Sequence, residues 1–254
     1  MKCIILAAGY ATRLYPLTEN FPKPLLKVGE KTILDWLIDD IDESGIVDEY
    51  VVVSNHKFIK HFQNWAKDLN KSIKIIDDGT INNENRLGAV KDIKLAIDNI
   101  EISHEKENEV KDGYLIIAGD NLLDFSLQRF IYYTKIKNAS CIMRFYEENK
   151  ERLKKCGIVE VDKDDRIISM EEKPENPKSH WVCPPFYYFT EDDVLKVGNA
   201  ITEGCRVDAP GSFIAWLASQ TTVYAMSMPG RRYDIGNLES YDKVKKEYKG
   251  IEQK

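Results

Sequence analysis

The stretch Leu6–Leu26, LAAGYATRLYPLTENFPKPLL, follows the apolar run Cys3-Ile4-Ile5 and at once lays out small residues, a glycine, an arginine and a Pro-Lys-Pro triplet. An apolar run that breaks into small residues reads as a buried strand ending in a loop. Gly9, with Ala7, Ala8 and Ala11, lets the backbone approach a ligand closely, and turn amides of this kind cradle an anion. Arg13 adds a bidentate fork for phosphate. Lys23 adds a point charge between Pro22 and Pro24, which restrict the backbone around it. A tight turn with surface cations accounts for the small residues alone. Strand context, Thr12, Arg13 and Pro-Lys-Pro together point to phosphate. The pattern is neither GxGxxG nor a Walker loop, since no Gly-Lys-Ser/Thr follows.

Working outward, short apolar runs alternate with helical patterns. TILDWLIDDIDES carries Ile33, Leu34, Leu37, Ile38 and Ile41 at helical spacing and stops at Gly45. EYVVVSN, SIKIID and GYLIIAGD read as strands; KFIKHFQNWAKDL, RLGAVKDIKLAIDNI and LQRFIYYTKI read as helices. Strands alternating with crossover helices predict an α/β fold with a doubly wound, mostly parallel sheet. After about residue 139 the pattern changes. ASCIMRFYE, CGIVEVD and RIISMEE are strand-like, with turn chemistry at Asp162-Lys163-Asp164-Asp165, and predict an added antiparallel part. WVCPPFYYF is strand-like with an edge or kink at Pro184-Pro185. GSFIAWLAS reads as a short helix, TVYAMSM as a late strand and LESYDKVKKEY as a closing amphipathic helix. Residues 101–112 read as a solvated loop. With no linker or repeat, the expectation is one continuous domain, residues 1–138 forming one half and 139–254 the other.

The 254 residues carry a net charge of -6, with 43% hydrophobic and 31% charged residues, ordinary values for a globular enzyme. That balance argues against a nucleic-acid partner, which needs clustered Lys and Arg in excess. No apolar run approaches the roughly 20 residues that span a bilayer, so no membrane partner is expected. Cysteines stand singly at 3, 141, 156, 183 and 205, without a CxxC pair, and the N-terminus shows no secretory pattern. Reduced thiols and a cytoplasmic location are the simple expectation.

Three further constellations carry chemistry. Asp120 ends YLIIAGD, where ligands bind in open α/β sheets, outside the carboxyl ends of strands; a turn aspartate is the plain alternative. Asp234, in RRYDIGN, precedes the last helix, where capping is its plain alternative. Brought together, the two carboxylates form a hard-oxygen site suited to Mg²⁺. MEEKPENP puts Glu172 and Lys173 at a strand end, a pairing that suits a sugar hydroxyl beside a phosphate.

Taken in order, LAAGYATRLYPLTENFPKPLL, AGDN, MEEKP and YDIGNLESY resemble the signature set of the sugar nucleotidyltransferases, nearest to the glucose-1-phosphate thymidylyltransferase and uridylyltransferase type. The resemblance runs from Met1 to about Tyr248. It implies a Rossmann-like sheet of the nucleotide-diphospho-sugar transferase type, with residues 1–138 as the nucleotide half and 139–254 as the sugar-phosphate half. It also implies a reaction: a sugar 1-phosphate attacks the α-phosphorus of a nucleoside triphosphate, and pyrophosphate leaves. Leu6, Ala8, Gly9, Thr12, Arg13 and Gly88 would bind the nucleotide, with Gly88 against the base. Arg13 would hold the leaving pyrophosphate, Lys23 the α-phosphate and Lys173 the sugar phosphate. Gly157 and Glu172 would contact the sugar, and Asp120 and Asp234 would bind Mg²⁺. No general base is needed, because the acceptor is already anionic; His56, His61, His104 and His180 fall outside every motif.

Two departures stand out. The segment DDGTINNENRLGA offers Asn82, Asn83 and Asn85 where the subgroup has a glutamine, which leaves the base open among CTP, UTP and dTTP. Pro184-Pro185 replaces a Thr-Gly pair, which leaves the acceptor open. A cytidylyltransferase acting on a phosphate such as phosphocholine, and a catalytically silent nucleotide-binding subunit, are the alternatives. A homo-oligomer is left open as well.

Overall fold

In the computed structural model, which describes residues 1–100 and 113–252, the chain folds as two compact units. Each is built from more than one stretch of sequence. The first takes Met1–Arg86, Ala118–Arg129 and Pro229–Lys254; the second takes Leu87–Ile117 and Phe130–Met228. The charged stretch 101–112, expected as a loop, lies outside the described residues.

In the first unit the strands Lys2–Leu6, Glu49–Ser54 and Ile73–Asp77 pair in parallel, with Leu6 opposite Val53 and Ser54 opposite Asp77. Parallel neighbours need crossover helices. Ile33–Asp42 is one: it buries the apolar positions read from its spacing and starts in a capping box between Thr32 and Asp35. Ile59–Lys67 is the second. The chain rejoins this unit at Ala118, the last residue of the expected strand Tyr114–Ala118. Beyond it, Asn121–Leu123 forms a short antiparallel ladder with Arg232–Asp234, and the chain closes on helix Leu238–Glu247. Leu14, Leu26, Val28, Ile33, Leu122, Ile235, Tyr241 and Val244 form one buried cluster, so the opening loop and the closing helix share a core.

The second unit is mainly antiparallel. Its strands run in the order Ile167–Glu172, Gly157–Val161, Trp181–Cys183, Ser140–Tyr146, Phe186–Phe189, Tyr114–Ala118, and Val223–Ser227 adds in parallel to Ser140–Tyr146. The expected doubly wound α/β fold with an antiparallel addition is therefore present. The proline pair sits where one extended run changes partners. Before it, Val182 and Cys183 face Ile158 and Gly157; after it, Phe186–Phe189 faces Ile117–Tyr114. Prolines lack an N–H for the ladder, and they fall in the gap where neither partner asks for one. They kink an interior run rather than mark an edge.

Three short helices escaped the sequence reading: Lys150–Leu153, Glu191–Val194 and Val197–Thr202. At four to six residues they are too short to show a period. Among the described residues no helix is long and apolar enough to cross a membrane.

Candidate active site

In the first unit the chain leaves strand Lys2–Leu6 under tight control. Ala7 N–H donates to Val53 O at 2.9 Å, and the buried Asn55 donates to Ala8 O at 3.0 Å while accepting from Phe58 N–H. Gly119 N–H donates to Leu6 O. Ala11 then takes the left-handed conformation (φ 48°), which costs a residue with a Cβ about 1–2 kcal/mol. Thr18 Oγ1 donates to its carbonyl at 2.8 Å. The strain turns the chain into the 3₁₀ turn Thr12–Leu14, which plugs Leu14 into the core and leaves Thr12 and Arg13 exposed.

Lys23 starts a second 3₁₀ turn, Lys23–Leu25, behind Pro22. It is only 7% exposed, and its ammonium lies 2.8 Å from Asp120 Oδ2. Asn121 Nδ2 donates to the other oxygen of Asp120 at 3.0 Å, and Arg232 Nη1 donates to Asn121 Oδ1 at 2.8 Å. Burial pushes the Asp120 carboxyl up, but Lys23, and then Arg232, outweigh it and hold the group below the ordinary carboxylate value. Asp234 faces Asn121 across the short ladder, one residue from Asp120. A methyl on Gly236 would lie 3.8 Å from both Arg13 Nη1 and Asp234 Oδ2, so those two side chains flank the same glycine. The last helix is capped by Asn237 and Ser240, not by Asp234, which stays exposed. Four residues singled out far apart in sequence thus collect in one unit.

The loop after Ile73–Asp77 is knitted to the opening stretch. Thr80 Oγ1 donates to Asp78 and lies 3.2 Å from the buried Tyr10 hydroxyl. The Thr hydrogen is committed to Asp78, so the phenol donates. Of the asparagines that follow, Asn82 caps the turn Asn83–Asn85, and Asn83 Oδ1 accepts from Arg86.

The second unit holds the remaining positions. Gly88 precedes helix Ala89–Asp98 at φ 93°, and a Cβ there would meet Val207 O at 2.5 Å. Ala89 and Val90 N–H donate to Asp208 O and Val207 O. Gly88→Ala is expected to destabilise the protein by about 2–5 kcal/mol, from strained φ and backbone overlap together. A lowered urea midpoint at unchanged m-value checks this, and an unchanged midpoint contradicts it.

Glu172, at the end of strand Ile167–Glu172, stands directly across the ladder from Gly157. Among the described residues nothing donates a hydrogen bond to its carboxylate. Burial pushes this carboxyl above its ordinary value; Lys173 and Arg206 pull it down, and Asp208 adds to the rise. Lys173 itself is left-handed (φ 53°), donates its N–H to Cys156 O, and puts its ammonium 3.4 Å from Asp208 Oδ2. Left-handed backbone in a side-chain-bearing residue concentrates at ligand sites.

Sequence reading missed Arg232, Asn121, Arg206, Asp208 and Gly211. Arg232 carried a usable signal, since residues two apart on a strand share a face with Asp234. The segment RVDAPGS carried none.

The donor set in the first unit has one more property. Among the described residues no group of three or more His, Cys, Asp or Glu side chains is assembled that could hold a metal. Asp120 has Lys23 and Arg232 close by, and Asp234, opposite the neighbouring Asn121, shares Gly236 with Arg13; two carboxylates among cations suit phosphate-bound Mg²⁺ rather than a self-contained protein cage.

Comparison with known proteins places the chain in a family. A family model for nucleotidyl transferases matches residues 2–250. The bifunctional protein GlmU of Methanococcus aeolicus is 32% identical over 240 residues, 93% of this chain and 51% of that protein. GlmU of Methanocaldococcus jannaschii is 32% identical over 192 residues, 74% of this chain and 40% of that protein. The chain thus spans about half the length, or less, of these curated relatives. Two solved structures share the fold at a TM-score of 0.78. One, from Bacillus anthracis, assigned as a glucose-1-phosphate thymidylyltransferase and complexed with sucrose, is 16% identical and covers 97% of this chain and 94% of its own. The other, a UDP-glucose pyrophosphorylase complexed with UDP-glucose, is 19% identical and covers 97% of each. With the family model matched along nearly its whole length, the chain belongs to the nucleotidyl transferase family.

Proposed function

We propose that this protein transfers a nucleoside monophosphate from a nucleoside triphosphate to a sugar 1-phosphate, releasing pyrophosphate and forming an NDP-sugar. The observation that carries this reading is the group Arg13, Lys23, Asp120, Arg232 and Asp234 at the carboxyl end of the parallel strands. Cations and a carboxylate pair in one place are what a triphosphate and its counter-ion need.

An anionic oxygen of the sugar phosphate forms the new bond to the α-phosphorus, and the bond to the bridging oxygen of the leaving pyrophosphate breaks. Two polyanions must meet in line, so the protein's work is charge neutralisation and positioning. Arg13 holds the leaving pyrophosphate. Lys23 neutralises charge building on the α-phosphate. The backbone from Leu6 through Ala8, Gly9 and Thr12 cradles the nucleotide, and Gly88 brings backbone close to the base. Lys173 positions the sugar phosphate, while Gly157 and Glu172 face the sugar. The half-buried Glu172 carboxylate supports that role, because among the described residues no donor occupies its oxygens and a ligand hydroxyl can supply one. The family generally uses a divalent metal. In this chain Asp120 and Asp234 would hold Mg²⁺, which when bound supplies charge neutralisation to the phosphates.

The test is a pyrophosphate-release screen of the common triphosphates against sugar 1-phosphates and phosphoalcohols. Release that depends on a sugar 1-phosphate is expected. Release with phosphoalcohols alone, or with no acceptor, would overturn the reading.

Selectivity is expected to be weak. Cys183, next to Pro184, pairs with Gly157 across the sheet, so the proline pair borders the sugar-facing strands. Two prolines withhold two backbone donors there, and a pocket with fewer polar groups discriminates hydroxyl patterns less well. Pro184→Thr with Pro185→Gly should sharpen preference for glucose 1-phosphate over its galactose and mannose counterparts. A wild-type preference for glucose of about 10³-fold in kcat/KM, roughly 4 kcal/mol, would leave the prolines no role.

A further inference from the structure

We infer that Gly211 is a positioning residue for the acceptor: it keeps open the space in which the Glu172 carboxylate sits, which makes the segment Arg206–Gly211 an acceptor-specificity element. This rests on the sugar 1-phosphate reading above.

Glu172 is bounded by two glycines from different elements. Across the ladder, a Cβ on Gly157 would lie 2.8 Å from Glu172 Oε2 and 3.0 Å from Met170 Cε. From helix Gly211–Gln220, a Cβ on Gly211 would lie 2.2 Å from the same oxygen and 3.3 Å from Glu172 Cδ. Real Cβ atoms essentially never lie within 3.0 Å of a non-bonded atom, and Glu172 Oε2 falls inside that limit at both glycines, so a methyl at either place moves the carboxylate. Gly211 is buried at the first position of its helix, with no positive φ to require a glycine. Its evident use is the missing methyl.

The same segment touches the other predicted positions of this unit. Asp208 accepts from Lys173 at 3.4 Å, and Val207 O is the atom against which Gly88 is pressed. Both side chains of the Lys173–Asp208 pair are partly exposed, so the pair contributes orientation more than energy. Arg206 lies close enough to act on the Glu172 carboxyl. One loop and one helix start thus set the aim of a carboxylate and an ammonium that the motif MEEKP alone leaves unaimed.

The experiment measures steady-state kinetics and titration calorimetry with glucose, galactose and mannose 1-phosphates on the full chain. Gly211→Ala should raise the sugar-phosphate KM and Kd by on the order of 10²-fold, as misplacement of a positioned group by about 1 Å does, and move the triphosphate KM by less than about threefold. Gly198→Ala, where the new methyl meets only the flexible end of Lys94 at 3.1 Å, controls for adding a methyl to a helix of the same unit. Glu172→Asp retracts the carboxylate. It should cost about 10-fold in the wild-type background, and little or nothing further in Gly211→Ala, so the two changes are non-additive. Additive effects, or an unchanged acceptor Kd in Gly211→Ala beside a normal wild-type Kd, would overturn the inference alone. No binding of any hexose 1-phosphate to the wild type would overturn the functional reading and the inference with it.

Discussion

Lys23→Ala is expected to lower kcat by on the order of 10²-fold or more while changing triphosphate affinity far less. The reason is where the charge sits. The side chain is buried to 7% exposure, anchored between two prolines, and its ammonium is fixed at 2.8 Å from Asp120. A cation held this way does not reorganise as charge develops at phosphorus, which is the condition for a large electrostatic term. Arg13, by contrast, is exposed and in the proposed reaction serves the leaving group, so ground-state binding of the triphosphate is expected to survive the loss of Lys23. If the interaction forms only in the transition state, kcat and kcat/KM fall together. The truncation also leaves Asp120 without its nearest cation. Because the Asp120 side chain is 44% exposed, solvent takes over much of that role and the stability cost stays near 1 kcal/mol. Pyrophosphate-release kinetics alongside thermal unfolding separate the two effects. A near-normal kcat in a folded variant would remove Lys23 from the α-phosphate.

Much of the fold was legible because its long elements state their period. Ile33, Leu34, Leu37, Ile38 and Ile41 name a helix face, and the runs at Lys2–Leu6 and Glu49–Ser54 name buried strands. The change to antiparallel pairing after residue 139 was legible from Asp162-Lys163-Asp164-Asp165, which turns Gly157–Val161 back onto Ile167–Glu172. What stayed hidden depends on pairing between distant short segments. The ladder that sets Asp234 opposite Asn121 has three residues on each side, too few for any pattern, and joins positions over a hundred residues apart. Helix capping at Asp234 was a fair alternative until Asn237 proved to hold that role. Gly88 and Gly211 were opaque for another reason. A glycine that keeps space open for a neighbour looks, in sequence, like one that eases a turn. The proline pair was half legible: the kink was expected, but not its place at a change of partner.

Chelation with EDTA is expected to abolish activity, with Mg²⁺ or Mn²⁺ restoring it, and Asp120→Asn and Asp234→Asn should each raise the metal requirement by about 10-fold or more. An amide keeps one acceptor oxygen but loses the charge that sets affinity for a hard cation. The two variants should nonetheless differ, because the two carboxylates have different neighbours. Asp120 also pairs with Lys23 and accepts from Asn121. Its neutralisation loosens the aim of Lys23, so Asp120→Asn should remain low in kcat even at saturating Mg²⁺. Asp234 stands exposed beside Arg13 and Gly236, with no ion pair to Lys23. Asp234→Asn should therefore recover more of its kcat as Mg²⁺ is raised. Mg²⁺ titrations of kcat at fixed substrates read both quantities at once, and the order of recovery is the diagnostic. Full activity in EDTA would remove the metal from the reaction. A normal metal requirement in both variants would move it away from these carboxylates. Equal recovery of the two would mean that Asp120 contributes to metal affinity alone and that Lys23 keeps its aim without it.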